Sequence, residues 1–180
     1  SFTNYMGVES DPAALEIIDG YISQGWLQEH ATLEQLTADV EGTPVLNKFA
    51  CITKEKPDGS VKRRIIMDSK QSNVTAASRR MYKAVLPRAT DIIADALSLQ
   101  STLSAGESVD AFVLDAEDAF WQVPLHQSER RFYCALLHRP CGRTSYLSYN
   151  RTAQGSRGAP LSWTIIFGLI CRCCLSVVQH

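Results

Sequence analysis

Two strand-like runs flank the tripeptide Pro57-Asp58-Gly59, and no other pattern constrains the fold of this chain as strongly. Residues 49–68 read FACITKEKPDGSVKRRIIMD. Proline presets the backbone at the first bend of a turn, the aspartate side chain can bond its own backbone, and glycine accepts a positive φ. We therefore predict a β-hairpin here, and with it at least one antiparallel strand pair.

Periodic apolar residues outline the other elements. Residues 12–40 carry apolar side chains at three-to-four spacing, which predicts a helix with Asp11 as N-cap and Pro12 at its first position, then a second short helix over residues 31–40. Residues 86–103 are typical of an amphipathic helix. Residues 110–115 are apolar on both faces and predict a central strand. A second hairpin is predicted over residues 132–150.

A closing apolar helix is predicted after Pro160. It is shorter than the about 20 apolar residues of a membrane span and contains Arg172, so we expect it to be buried in protein. The resulting order is helix, hairpin, helix, strand, hairpin, loop and helix along 180 residues, enough for one domain or two small subdomains. This order predicts an α+β fold, an antiparallel sheet with helices packed on one face.

Charge is distributed unevenly, although the net charge is only −1. Residues 1–47 hold eight acids and no Lys or Arg, whereas residues 48–90 hold eleven Lys or Arg and three acids. A basic middle segment predicts a polyanionic partner near that segment. The alternative is a solvated charged face, and charge alone does not choose between the two.

Six cysteines bear on the cellular compartment. Cys171, Cys173 and Cys174 are too crowded for a zinc knuckle, and no His lies at metal-ligand spacing. The spacing is also unlike that of a secreted disulfide framework. We therefore expect reduced, mostly buried thiols in an intracellular protein of the cytoplasm or nucleus, with no membrane partner.

A cluster of acids follows the predicted central strand, in the run VLDAEDAFWQVPL at 113–125. A carboxylate at a strand end, such as Asp115, can hold Mg²⁺ because this ion prefers hard oxygen ligands and phosphates. Asp118 lies three residues further on, and we expect Glu117 between them to point away. Spacing alone favours the simpler alternative, in which Asp115 caps the next turn and the other acids are surface charge.

Four segments, in the correct order, resemble the reverse transcriptases. Residues 113–125 resemble motif A of that family, Asp-x-x-Asp-Ala-aromatic followed by VPL, and AQGSRGAP at 153–160 resembles motif B. RIIMDSKQSN at 64–73 is similar to the fingers pattern Arg-x3-Asp-x4-Asn, and LPRATDIIADAL at 86–97 to the segment before motif A. The resemblance is nearest to retroviral and retrotransposon enzymes. It implies a helical segment at 1–43, a fingers-like region at 44–106 and a partial palm at 107–180.

For motif A, the resemblance implies catalytic roles. Asp115 would bind the catalytic Mg²⁺ ions beside the backbone of Ala116, for in-line attack of a primer 3′-hydroxyl. Asp118 and Ala119 would lie under the triphosphate of the incoming nucleotide. Phe120 would occupy the sugar-gate position, where a flat ring leaves no room for a 2′-hydroxyl and selects deoxynucleotides.

Basic residues and motif B complete the implied site. Arg64 would lie over the incoming base and contact phosphate. Lys54 would meet the outer phosphates, with Lys56 as its rival because the loop is longer than usual in the family. The glycine-bearing loop would contact nucleotide and template through Gln154 and Gly155. The other implied nucleic-acid contacts are Lys62, Arg63, Arg157 and Pro160, of which Pro160 also sets the start of the closing helix.

The Tyr-x-Asp-Asp hairpin of the family, motif C, is absent from the 180 residues. We therefore expect a fragment of an RNA-directed DNA polymerase, from a longer polyprotein, that meets template–primer and deoxynucleoside triphosphates with Mg²⁺ but is inactive alone. The alternative is a non-catalytic nucleic-acid-binding remnant of a retroelement. Phe120 disfavours an RNA-directed RNA polymerase, and a product without function is the last alternative.

Overall fold

A computed structural model describes residues 2–79, 82, 85–111, 113 and 115–178 of the chain. The described strands form one sheet in the order β1-β5-β4-β2-β3. The strands are β1 (Leu27–His30), β2 (Leu46–Glu55), β3 (Val61–Asp68), β4 (Cys134–His138) and β5 (Thr144–Tyr149). The helices are α1 (Pro12–Ser23), α2 (Leu33–Asp39), α3 (Val74–Ala77), α4 (Ala89–Gln100), α5 (Gln127–Arg130) and α6 (Ala159–Val178), with a 3₁₀ turn at Ala119–Gln122.

The hairpin predicted around Pro57-Asp58-Gly59 is confirmed. Strands β2 and β3 pair antiparallel along their length. The Asp58 side chain accepts hydrogen bonds from the backbone N–H and the hydroxyl of Ser60, and Gly59 takes a φ of 80°. Turn chemistry within a few residues therefore builds this element, as the sequence indicates.

The sheet is mixed, so the prediction of an antiparallel sheet is wrong at one junction. Strands β4 and β5 form the second predicted hairpin and pair antiparallel. The two hairpins join through their first strands, β2 and β4, which run parallel with Leu46 beside Cys134 and Asn47 beside Ala135. Asn47 Nδ2 holds this junction by donating hydrogen bonds to the carbonyl oxygens of Phe132 and Cys134, at 2.9 and 3.0 Å.

The sheet draws its strands from all three predicted segments of the chain. Strand β1 comes from residues 1–43, β2 and β3 from 44–106, and β4 and β5 from 107–180. The domain boundaries placed at these positions stay predictions.

Helices α1 and α2 pack on opposite faces of the sheet, so the prediction of helices on one face is wrong. Ile18 of α1 lies in the main core with Ala135 of β4 and Leu147 of β5. Leu36 of α2 packs in a smaller core with Cys134. Successive side chains of a strand point to opposite faces of the sheet, so the neighbours Cys134 and Ala135 lie on opposite faces. The helix that packs on each of them therefore lies on the opposite face from the other helix.

Two sequence predictions of strands and helices were wrong in part. The helical region predicted over residues 12–40 contains β1 between α1 and α2. This short strand forms because it pairs with β5, which is distant in the sequence. The described residues of the predicted central strand, Asp110, Ala111, Val113 and Asp115, form no strand, and Phe112 and Leu114 lie outside the described residues. Strands β1 and β3 form the two described edges of the sheet, and neither pairs with a described residue of this run.

The closing helix forms as predicted, but the expectation that it is buried is wrong. Of the residues of α6 whose exposure is described, only Ala159 is buried, and the helix packs mainly on the 3₁₀ turn. Helix α4 has no buried residue at all. Over Ala159–Val177, α6 is long and apolar enough to cross a membrane on length and composition. A single helix of this kind is weak evidence for a membrane span; core helices of soluble proteins pass the same test, but those helices are mostly buried and α6 is not.

The cysteines are free but not mostly buried, which corrects the sequence prediction. Cys134 is buried, Cys51 and Cys171 are half-buried, and Cys141, Cys173 and Cys174 are exposed. The exposed thiols follow from the position of α6, which carries two of them, and of the β4–β5 turn.

Candidate active site

Three of the segments that resemble polymerase motifs line a single cavity of about 630 Å³. Residues 115–120 form one side, with Ala116 and Ala119 among them, and residues 62–64 of β3 form another. Gln154, from the loop before α6, and Tyr21 of α1 complete the described lining. We call this space the motif A cavity.

Stacking of the Trp121 ring on neighbouring aromatic rings fixes the segment that resembles motif A at the cavity. Asp118 takes a left-handed φ of 51° and begins the 3₁₀ turn, where the Trp121 N–H donates to its carbonyl at 2.8 Å. The buried Trp121 ring stacks on Trp26, with ring centroids 5.2 Å apart, and on Tyr149, at 5.6 Å. Offset stacking of this kind stabilises a fixed arrangement of rings. The residues just before Trp121 are thereby fixed at the cavity.

Three acidic residues line the motif A cavity, Asp115, Glu117 and Asp118, and all three are exposed. Glu117 is among the lining residues, and the expectation that its side chain points away stays a prediction. No group of three or more His, Cys, Asp or Glu side chains among the described residues is close enough to hold a metal ion. Mg²⁺ is commonly held by one or two carboxylates together with substrate phosphates. The donor set therefore fits a magnesium–phosphate complex better than a free ion.

Two aromatic residues line the cavity beside the acids. Phe120 is half-buried and lies two residues after Asp118, the last acid of the run. Tyr21 packs on Trp121 with ring centroids 4.5 Å apart, and burial, with a smaller effect of the Asp118 charge, raises the pKa of its phenol. The apolar spacing of residues 12–40 predicts a helix, but helical spacing cannot tell a core aromatic from one, such as Tyr21, at a cavity rim.

Lys54, Lys62 and Arg64 share one face of the β2–β3 hairpin. Lys54 lies directly opposite Lys62, and Ile52 lies opposite Arg64. Since side chains alternate along a strand, these three cations point the same way. Like charges in opposite cross-strand positions destabilise a hairpin. A bound anion would relieve that repulsion.

Arg63 points to the other face and has a protein partner. Its Nε lies 2.7 Å from Oδ2 of Asp11, the N-cap of α1, and this hydrogen bond lowers the pKa of the Asp11 carboxyl. Arg63 lines the cavity while tying β3 to α1. Lys54 and Lys56 are exposed on the hairpin and are not among the described lining residues of the cavity.

The loop that resembles motif B packs directly on β3. The Met67 N–H donates to the carbonyl of Gln154 at 3.0 Å. Gly155 has a φ of 99°, and a Cβ at this position would lie 2.2 Å from the Met67 carbonyl oxygen. The glycine is therefore required by packing within the chain, whereas the sequence resemblance implies a substrate contact for it.

Arg157 holds a neighbouring segment of the chain. Its Nη1 donates to the carbonyl oxygens of Thr75 and Ser78, at 3.0 and 3.1 Å, and so ties the loop to α3. The phosphate role implied for Arg157 stays a prediction. Pro160 is exposed at the second position of α6, consistent with a helix start set by proline.

No protein-family model matches the chain, and no curated protein matches it.

Proposed function

We propose that the motif A cavity binds a deoxynucleoside triphosphate with Mg²⁺, and that the chain is the nucleotide-binding and template-binding part of an RNA-directed DNA polymerase. The main support is the meeting of acids, cations and an aromatic ring at one cavity, from segments far apart in the sequence. Each group suits one part of such a ligand.

The charge and shape of each lining side chain indicate which part of the nucleotide it would contact. Lys62 and Arg64 offer cations to the triphosphate, and the planar guanidinium of Arg64 can contact phosphate and base together. Asp115 supplies a hard oxygen ligand for Mg²⁺ when the nucleotide brings its phosphates. Phe120 presents a flat apolar surface to the sugar, and a 2′-hydroxyl placed against it would lose its hydrogen bonds without compensation.

We propose that these 180 residues bind the nucleotide with Mg²⁺ but do not catalyse primer extension efficiently. Two-metal phosphoryl transfer needs ligands for two ions roughly 3.5–4 Å apart. Among the described residues, the acids that line the cavity all belong to the motif A segment, and no three-residue metal cluster is found. We therefore expect substrate binding with primer extension at background.

A second function is favoured by the hairpin itself. Lys54, Lys62 and Arg64 form a one-sided cationic face that requires no contribution from Asp115. Such a face would bind the phosphates of RNA or of a duplex without catalysis, with strong salt dependence.

Equilibrium binding of Mg²⁺–dATP and Mg²⁺–ATP to the full chain separates these functions. We expect dATP to bind more tightly than ATP, Asp115→Asn to weaken both, and Phe120→Ala to remove the preference for dATP. Phe167→Ala truncates an aromatic residue of α6 and serves as the matched control, with the preference kept. If Asp115→Asn and Phe120→Ala both bind like the wild type while an RNA–DNA duplex still binds with salt dependence, the non-catalytic function is correct.

A further inference from the structure

A second cavity, of about 550 Å³, has described lining residues that differ entirely from those of the motif A cavity. Helix α3 and its flanking residues line it together with the segment between α5 and β4 and with Gly158 before α6. Its volume lies within the range of small-molecule sites, roughly 300–1,000 Å³. We call it the α3 cavity.

One side of the α3 cavity is apolar and aromatic. Val74 is buried there, and Phe132 and Tyr133 are half-buried. Arg131 packs its guanidinium over the Phe132 ring, 4.5 Å from the ring centroid, and burial raises the pKa of the Tyr133 phenol. Aromatic side chains that are fixed in place accept flat rings by stacking, whatever the identity of the base.

An amide without a described protein partner lies beside this wall. Asn73 has a left-handed φ of 63° and precedes α3, yet its side chain makes no cap hydrogen bond. A free amide offers an acceptor oxygen and two donor hydrogens. An Asn amide can pair with two atoms of one base edge, as it does with N6 and N7 of adenine. A flat heteroaromatic ring with a hydrogen-bonding edge suits both the wall and the amide.

Charged groups of both signs stand at the same cavity. Arg79 and Glu129 are exposed lining residues, and no ion pair is described for either. The guanidinium fork of Arg79 matches phosphate oxygens. The carboxylate of Glu129 can accept hydrogen bonds from sugar hydroxyls. Base, sugar and phosphate of a nucleotide thus each have a matching group.

The walls of the cavity are held in place by the protein. Arg157 ties both ends of α3 to the loop before α6. Ser72 Oγ donates to Asn47 Oδ1 at 2.6 Å, which anchors the residue before Asn73 to β2. Preorganised walls reduce the entropy lost on binding.

We propose that the α3 cavity binds one unpaired nucleotide, with the base between the aromatic wall and Asn73 and the phosphate at Arg79. The nucleotide is either free or part of a single strand, since both present the same chemistry. Gln154 lines the motif A cavity and Gly158 the α3 cavity, and four residues of chain span at most about 14 Å, so one bound strand could lie near both. The proposal does not depend on polymerase activity or on Asp115.

Calorimetry of the full chain with AMP and with an oligoadenylate tests the proposal. Asn73→Gly removes the amide while glycine keeps the positive φ, and Phe132→Leu removes the stacking ring while keeping apolar volume. We expect each change to weaken binding at least about fivefold, the lower range of a lost base stack. Arg79→Gln should weaken binding as well, whereas Arg143→Gln, at the β4–β5 turn, is the charge-matched control and should bind like the wild type.

The two probes identify the source of the nucleotide. Parallel losses for AMP and oligoadenylate indicate a mononucleotide site, and losses for oligoadenylate alone indicate a base within a strand. Binding of both probes that is unchanged by Asn73→Gly and Phe132→Leu, in variants that unfold at the wild-type temperature, overturns the proposal. Should a variant not fold, Asn73→Asp keeps the side-chain size, and unchanged affinity there has the same meaning. Loss of dATP discrimination through Phe120→Ala tests the motif A cavity separately, so the two proposals can fail independently.

Discussion

Gly155 approaches the backbone of Met67 so closely that a Cβ on Gly155 would lie 2.2 Å from the Met67 carbonyl oxygen. The same contact places the Gln154 carbonyl 3.0 Å from the Met67 N–H. The loop that resembles motif B therefore continues the edge of β3, and this is what brings Gln154 to the motif A cavity. A conformational requirement of one glycine thus connects packing to the candidate site.

Substitution of Gly155 should be costly. Gly155→Ala combines a φ of 99° with a backbone collision, and we expect it to reduce the free energy of unfolding by about 3 kcal/mol. Gly158→Ala is the matched control in the same loop, because a Cβ there meets no atom within 4 Å. Urea denaturation measures both changes. Equal unfolding free energies for the two variants would contradict the close packing of the loop on β3.

The cross-strand pair Lys54–Lys62 predicts opposite effects on stability and binding. Lys62→Glu replaces a repulsive pair by an attractive one, so we expect the free energy of unfolding to rise by about 0.5 kcal/mol. Nucleic-acid binding should weaken, and its salt dependence should become shallower, with a loss of about 0.9 in the log–log slope for each lost duplex phosphate contact.

Arg172→Glu makes the same change of charge on the exposed part of α6 and serves as the control for that variant. A salt slope that falls equally in both variants would mean that only net charge matters. In that case the hairpin face would not contact phosphate.

The Asp39 carboxylate is the centre of a polar network that holds α2 on the sheet. It accepts hydrogen bonds from Arg130 Nη2 at 2.8 Å and Ser148 Oγ at 2.7 Å, and His30 Nε2 lies 3.3 Å away. Asp39→Asn would leave the largely buried Arg130 charge without its carboxylate, at a cost of about 3 kcal/mol. Asp19→Asn is the control, because its partner is also held by a second acid. Chemical denaturation should show a loss below 1 kcal/mol for the control.

Local signals in the sequence predict much of the secondary structure. The turn chemistry of Pro57-Asp58-Gly59 acts within five residues, and Asp11 caps α1 through its own side chain, which accepts from the Ala13 N–H at 3.0 Å. Local signals do not predict an element that forms only because a partner distant in the sequence lies beside it. Strand β1 exists because β5 lies beside it, and the apolar run at 110–115 lacks a paired strand among the described residues.

In the candidate site, too, the sequence predicts residues that belong to a local motif but not residues brought in by tertiary packing. The acids and Phe120 could be found by motif, because their spacing along the chain is itself the signal. Tyr21 could not, since it reaches the cavity only through the packing of α1 on the sheet. The protein partners of Arg63 and Arg157 were missed for the same reason. A cation looks alike in sequence whether it faces a phosphate, a carboxylate or a carbonyl.

A pH dependence is expected from the pair Tyr5–Asp68. The Tyr5 hydroxyl donates to Asp68 Oδ2 at 2.5 Å, which lowers the pKa of the Asp68 carboxyl and raises that of the Tyr5 phenol. Because the carboxyl pKa is lowered in the folded protein, Asp68 stabilises the fold at pH values above its pKa in the unfolded chain, about 3.9. This contribution to stability is lost as the pH falls through the pKa of Asp68 in the folded protein. Because the phenol pKa is raised in the folded protein, Tyr5 stabilises the fold at pH values below its pKa in the unfolded chain, about 10. This contribution to stability is lost as the pH rises through the pKa of Tyr5 in the folded protein.

Tyr5→Phe removes this pair without changing the ring. We therefore expect the variant to be less stable than the wild type between about pH 5 and 9, and the difference to shrink toward pH 3. Urea denaturation at several pH values measures it. A difference that stays constant down to pH 3 would show that the effect does not depend on the charge of Asp68, so that the hydrogen bond to its carboxylate does not explain it.

In the native protein, exposed cysteine thiols should react with a thiol reagent faster than the buried one. Cys141, Cys173 and Cys174 are exposed, whereas Cys134 is buried and its pKa is raised to about 12 by that burial. Because the thiolate is the reactive form, Cys134 should react roughly a thousandfold more slowly than an ordinary exposed thiol. Mass spectrometry of the labelled peptides assigns each site, and labelling in urea gives the reference in which all six react. Rapid native labelling of Cys134 would mean that α2 and its small core open readily from the sheet, whereas slow labelling of Cys173 and Cys174 would mean that α6 is covered in solution.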